Sequence, residues 1–100
     1  MPHIIETLVN AGAMIDAKTT EGETALFAAI WDTYKNWNTT SNKYQQLAVD
    51  TIVELMKFGA SIETAKACKS TRSNRQKLFK AGLQHDSIKA AITKGLKFQK

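Results

Sequence analysis

One hundred residues can bury only one small core. At 43% hydrophobic and 23% charged, the chain reads as a globular domain, which excludes disorder and a multidomain enzyme. No apolar run approaches the roughly 18 residues of a membrane span. The opening "MPHIIETLVN" has no basic stretch ahead of a long apolar one, so no secretory signal is expected. A single cysteine, Cys68, excludes an internal disulfide, and the expected location is the cytosol, or a host cytosol after delivery.

The net charge of +5 is unevenly placed. Residues 1–63 hold four Lys/Arg and eight acids, a net of −4, whereas residues 64–100 hold ten Lys/Arg and one acid, Asp86, a net of +9. The pattern is an acidic body followed by a basic tail.

In chain order, apolar residues repeat at three and four, the helical period, with no alternation that would mark a strand. Ile4, Ile5, Leu8 and Val9 form a first stripe, followed by Gly12 as a stop. Thr24 is an N-cap for a helix running through Leu26, Ala29, Ile30 and Thr33 to Trp37. The longest stripe is Tyr44, Leu47, Ala48, Thr51, Ile52, Leu55 and Met56, with Gly59 placed to end it. Leu78 and Phe79 precede Gly82. Asp86 or Ser87 then caps a helix with Ile88, Ala91 and Ile92 that stops at Gly95. All these elements are helices.

Two segments are similar, "IIETLVNAGAMIDAK" and "TIVELMKFGASIETAK". Each brings paired apolar residues to Gly-Ala, then one further residue (Met14 or Ser61), Ile and an acid. With the loop and helix after the first copy, "LVNAGAMIDAKTTEGETALFAAI" resembles the ankyrin repeat. That family ends a helix in Leu-Leu-x-x-Gly-Ala and opens the next with Gly-x-Thr-Pro-Leu-His. Gly22, Thr24 and Leu26 match, Ala25 stands for the proline and Phe27 for the histidine that bridges neighbouring loops. The resemblance covers residues 4–30 and 49–64 and stops near Lys66. The 47 residues from Gly12 to Gly59 exceed the family's period of about 33, which implies a longer helix pair and connecting loop.

The resemblance implies an all-α, ankyrin-like helical solenoid fragment with one lengthened helix pair and a divergent helical C-terminal cap. Residues 1–65 are the repeats, with an insertion around 31–46, and residues 66–100 are the basic cap. A stack needs about three units for stability, so a place in a larger ankyrin-repeat protein is expected. The implied function is protein–protein recognition through hairpin tip and concave helix face, with a second protein as partner. By matching, Lys18, Thr20, Glu21 and Glu23 project from the hairpin, where the bland alternative is ordinary solvated turn residues. Trp31 and Asp32 occupy variable positions of the concave face. Packing against the next repeat is an equal alternative for Trp31.

At about 100° per residue from Leu26, Trp37 falls within about 40° of the core line and Trp31 about 140° from it. Trp37 is therefore expected in the core, meeting Tyr44 or Leu47. Helix stacking should bury the whole Tyr44–Met56 stripe against Leu26, Ile30 and Trp37.

The alternative function belongs to the basic tail. Lys69, Arg72, Arg75 and Lys77, flanked by Lys66 and Lys80, are candidates for contact with nucleic acid or an anionic membrane surface. Only Phe79 and Phe98 could add base stacking there, and a solvated cap explains the charge as well. Catalysis has little to draw on. His3 and His85 lie far apart without metal-ligand spacing, and Cys68 has no base partner. Asn38-Thr39-Thr40 fits a glycosylation pattern by chance. No reaction, cofactor, metal or small-molecule substrate is expected.

Overall fold

The computed structural model describes residues 17–98; the expected first stripe, Ile4 to Val9, and the stop at Gly12 lie outside the described residues. The fold is all-α, with no strand among the described residues. Its helices are α1 (Ala25–Asn36), α2 (Asn42–Lys57), a short α3 (Ile62–Lys66), α4 (Ser73–Leu83) and α5 (Asp86–Leu96), with a 3₁₀ turn at Trp37–Thr39 after α1. None of the described helices is long and apolar enough to cross a membrane.

α1 begins where the Thr24 hydroxyl accepts the Phe27 amide at 3.2 Å, as the sequence predicts. Its buried residues Leu26, Phe27, Ile30 and Thr33 share one face. α2 is capped by Ser41, whose hydroxyl accepts the Tyr44 amide at 3.4 Å. It ends at Gly59, where φ is +106°. There the Ala60 amide reaches the Leu55 carbonyl at 2.9 Å and the Gly59 amide reaches that of Met56 at 3.0 Å. This paired ending needs a left-handed residue, which glycine supplies without a steric penalty.

The helices form two pairs laid one on the other. α1 packs on α2 and α4 on α5 within the pairs; between them, α1 faces α4 and α2 faces α5. One core runs through both layers, from Leu26, Phe27 and Ile30 through Ile52, Leu55 and Met56 to Phe79, Ile88 and Ala91. Phe27 and Phe79 stack with ring centres 4.6 Å apart, an arrangement worth about 1 kcal/mol beyond burial. The basic C-terminal third is thus part of the same core as the acidic body.

Several expectations need correction. The helices do end near Gly82 and Gly95, but neither glycine is a left-handed stop; each is the last-but-one residue of its helix and is buried. Each is a point of close approach between layers. A Cβ on Gly82 would sit 3.0 Å from Ile30 Cγ2, and one on Gly95 would sit 2.8 Å from Met56 Cβ. Neither Asp86 nor Ser87 is the N-cap of α5: His85 holds that position, with no side-chain cap bond, and Asp86 sits in the first turn, where an acid suits the helix dipole. Only the second half of the α2 stripe is buried. Tyr44 is 64% and Leu47 42% exposed, because α1 and α5 cover Ile52, Leu55 and Met56 instead. Trp37 is not a core rung either. It is half-buried at the end of α1, its ring edge-on to His85 at 4.7 Å. The 3₁₀ turn begins at this residue, so the helical angle counted from Leu26 no longer applies.

The glycine contacts give a direct check. Gly95→Ala is expected to destabilise the protein by about 1–3 kcal/mol, because overpacking against Met56 outweighs the better helix propensity of alanine. A urea unfolding midpoint equal to or above that of the wild type would show that the layers are not in close contact there.

Candidate functional site: the joint between the two layers

The turn before α1 is built by its own hydrogen bonds. The Thr19 amide reaches the Glu23 carbonyl at 2.9 Å, and the Gly22 amide reaches the Thr19 carbonyl at 2.9 Å. The Thr19 hydroxyl accepts the Glu21 amide at 3.2 Å and the Glu23 amide at 3.4 Å. Gly22 has φ +81°, and a Cβ there would meet the Lys69 carbonyl oxygen at 2.8 Å. The turn therefore lies directly on the segment leading into α4, joined to it by the Thr71 amide at 3.0 Å from the Glu21 carbonyl.

This docking carries Glu23 inward. Glu23 is 4% exposed, against the expectation that it projects from the loop toward a partner. Its Oε2 accepts the Ser70 hydroxyl at 2.6 Å and Arg75 Nη1 at 3.0 Å. Its Oε1 accepts the Trp31 indole N–H at 3.3 Å. Burial alone would raise the carboxyl's pKa, but the hydrogen bonds from Ser70, Arg75 and Trp31, with the charge of Arg75, outweigh it and hold the value below the ordinary 4.5. Glu21, beside it, accepts Arg72 Nε at 2.6 Å and lies 3.5 Å from Arg75 Nη1.

The arginines of the basic tail are thus engaged with the acidic body. Arg75 also lies over Trp31, its guanidinium carbon 4.5 Å from the ring centre. Trp31 is half-buried, packed against the core with its N–H satisfied, so packing against the next layer takes much of its surface. Asp32 is exposed on another side of α1, where its carboxylate accepts Asn36 Nδ2 at 3.0 Å. Lys18 and Thr20 are exposed at the turn, and Lys69 and Lys77 are exposed beyond it. Cys68 is buried, its thiol 3.4 Å from the Thr64 carbonyl oxygen.

Beside the joint lies an open groove of about 480 Å³ between α1 and the start of α4, lined in part by Trp31, Lys35, Arg72, Ser73, Arg75 and Leu78. Sequence reasoning brought Trp31, Arg72 and Arg75 forward but missed Lys35 and Ser70. Lys35 was within reach, since it lies one helical turn after Trp31. Ser70 carried no signal, because its role depends on a contact 47 residues away in the chain.

Among the described residues, no three His, Cys, Asp or Glu side chains gather so as to hold a metal ion. Comparison with known proteins finds no family model that matches the chain, and no curated protein or solved structure that matches it significantly.

The depressed pKa of Glu23 has a signed consequence. Its ionised form contributes stability that is complete above about pH 4.5 and is lost as the pH falls through the lower folded value. Glu23→Gln is expected to cost about 1–3 kcal/mol at neutral pH and to flatten this part of the acid dependence. Urea unfolding of both proteins across the acid range measures it; parallel stability curves would remove Glu23 from the joint's energetics.

Proposed function

We propose that the chain is a protein-recognition module, an ankyrin-like stack of helix pairs that binds another protein through the turn before α1 and the neighbouring face of α1. One observation carries this reading: the turn is tied to the next layer by Glu21, Gly22 and Glu23, so its outer residues stand on a fixed base. A preorganised surface loses less entropy on binding than a loose loop. Lys18 and Thr20 are exposed on the turn and Lys35 on the neighbouring side of α1, and Asp32 is exposed further round that helix. The helix-on-helix layering and the left-handed glycines at two of the turns, Gly22 and Gly59, support the ankyrin resemblance of the sequence. Hydrogen bonding between loops, which the family assigns to a histidine, is made here by the two glutamates, while Phe27 stacks on Phe79. No reaction is proposed.

The second reading, nucleic-acid or anionic-membrane contact by the basic tail, is weakened by the same geometry. Arg75 is held by Glu21 and Glu23 and Arg72 is tied to Glu21 through Nε, which leaves Lys69, Lys77 and the outer edge of Arg72 as its exposed candidates.

A photocrosslinking side chain placed at Thr20 or at Asp32 is expected to give a discrete adduct with a partner protein in lysate, competed by unlabelled wild type. The same group at Lys80, exposed on α4 away from this face, should give none. Adducts from Lys80 alone, or equal labelling at all three positions, would reject the binding face.

A further inference from the structure

We propose that the groove between α1 and the start of α4 takes an acidic peptide segment of the partner, with a carboxylate at Lys35 and Arg72 and an apolar side chain against Trp31 and Leu78. This rests on the recognition reading above and specifies the partner's chemistry.

The groove is lined by three cationic side chains, Lys35, Arg72 and Arg75, and by no carboxylate. The three differ in what they can still offer. Arg75 lies between the Trp31 ring and Glu23, 27% exposed, and serves as a wall. Arg72 meets Glu21 through Nε alone and remains 63% exposed, and its terminal nitrogens have no acceptor among the described residues. Lys35 Nζ stands 5.9 Å from the centre of the Trp31 ring and has no ion pair among the described residues. Glu21, the acid that partly offsets Arg72, does not line the groove. The groove therefore presents the Lys35 ammonium and the terminal nitrogens of Arg72 to solvent, with no carboxylate in its own lining.

The rest of the lining fixes the kind of anion. Trp31 and Leu78 are half-buried apolar walls beside the cations, and hydroxyl or amide groups come from Thr71, Ser73 and Asn74. An apolar wall next to two cations suits a peptide that alternates acidic and apolar side chains. A nucleic-acid backbone, by contrast, draws its affinity from a long row of phosphate contacts. Lys69 and Lys77, which would extend such a row, do not line this groove. A volume of about 480 Å³ holds a few side chains of an extended peptide.

Short fluorescent peptides alternating Glu with Leu, the same peptides with Gln for Glu, and a single-stranded oligonucleotide would be titrated with the full chain by anisotropy. The Glu peptides are expected to bind, in a salt-sensitive manner, and the Gln peptides to bind at least about tenfold more weakly. Lys35→Glu should lower affinity for the Glu peptides roughly tenfold, the loss of one charge-assisted contact, while Lys89→Glu on α5 makes the same change of charge and should alter it less than about twofold. The indole N–H resonance of Trp31, and not that of Trp37, should shift on titration. Equal effects of Lys35→Glu and Lys89→Glu, or tighter binding of the oligonucleotide than of any peptide, would overturn the proposal in favour of diffuse charge attraction. Absence of peptide binding alongside discrete crosslinks from Thr20 or Asp32 would reject the acidic-peptide groove and leave the recognition reading standing.

Discussion

The structure depends on one buried carboxylate. An ionised glutamate out of water is costly unless its oxygens are fully satisfied, and Glu23 is satisfied only if three separate pieces of chain arrive together. The turn must place the carboxylate inward, α1 must bring the Trp31 indole, and the segment entering α4 must bring Ser70 and Arg75. Each requirement constrains its neighbourhood. Gly22 adopts a left-handed conformation and leaves room for the Lys69 carbonyl, and Thr19 gathers the amides that shape the turn. Removing Arg75 would leave the buried charge without a counterion, and removing Ser70 or Trp31 would leave one of its oxygens short of a donor, so the joint holds as a unit.

Away from the joint, the layers are held by close packing. Gly82 lets α4 settle on α1, and Gly95 lets α5 settle on α2, one small residue at each contact between layers. The Phe27–Phe79 stack fills the space nearer the joint. Both sides of the layers expose apolar residues: Leu96 on α5, together with the exposed Lys77, Lys80 and Lys89 of α4 and α5, and Tyr44 and Leu47 near the start of α2.

The charge asymmetry of the sequence takes on a different meaning in this fold. An acidic body and a basic tail suggest two surfaces that seek outside partners. The acids at 21 and 23 instead find the arginines at 72 and 75 across the layers. Part of the segregation is therefore internal complementarity, and only the charge left over is free to act on a partner. Lys35 and the outer edge of Arg72 belong to that remainder.

What the sequence determined by itself is local. The caps at Thr24, the stop at Gly59 and the helical period of the apolar residues were all legible, because each depends on neighbours within one turn. The caps at Ser41 and Ser61 follow the same rule, their hydroxyls accepting the Tyr44 and Thr64 amides. The tertiary structure alone decided which side of each helix meets the next layer. It made Gly82 and Gly95, next to their helix ends, points of contact between layers, left Tyr44 and Leu47 in solvent, and turned Glu23 from a loop tip into the centre of the joint. The reason is distance along the chain. A cap is fixed by residues three apart, while the burial of Glu23 depends on Ser70 and Arg75, 47 and 52 positions away, which no local pattern records.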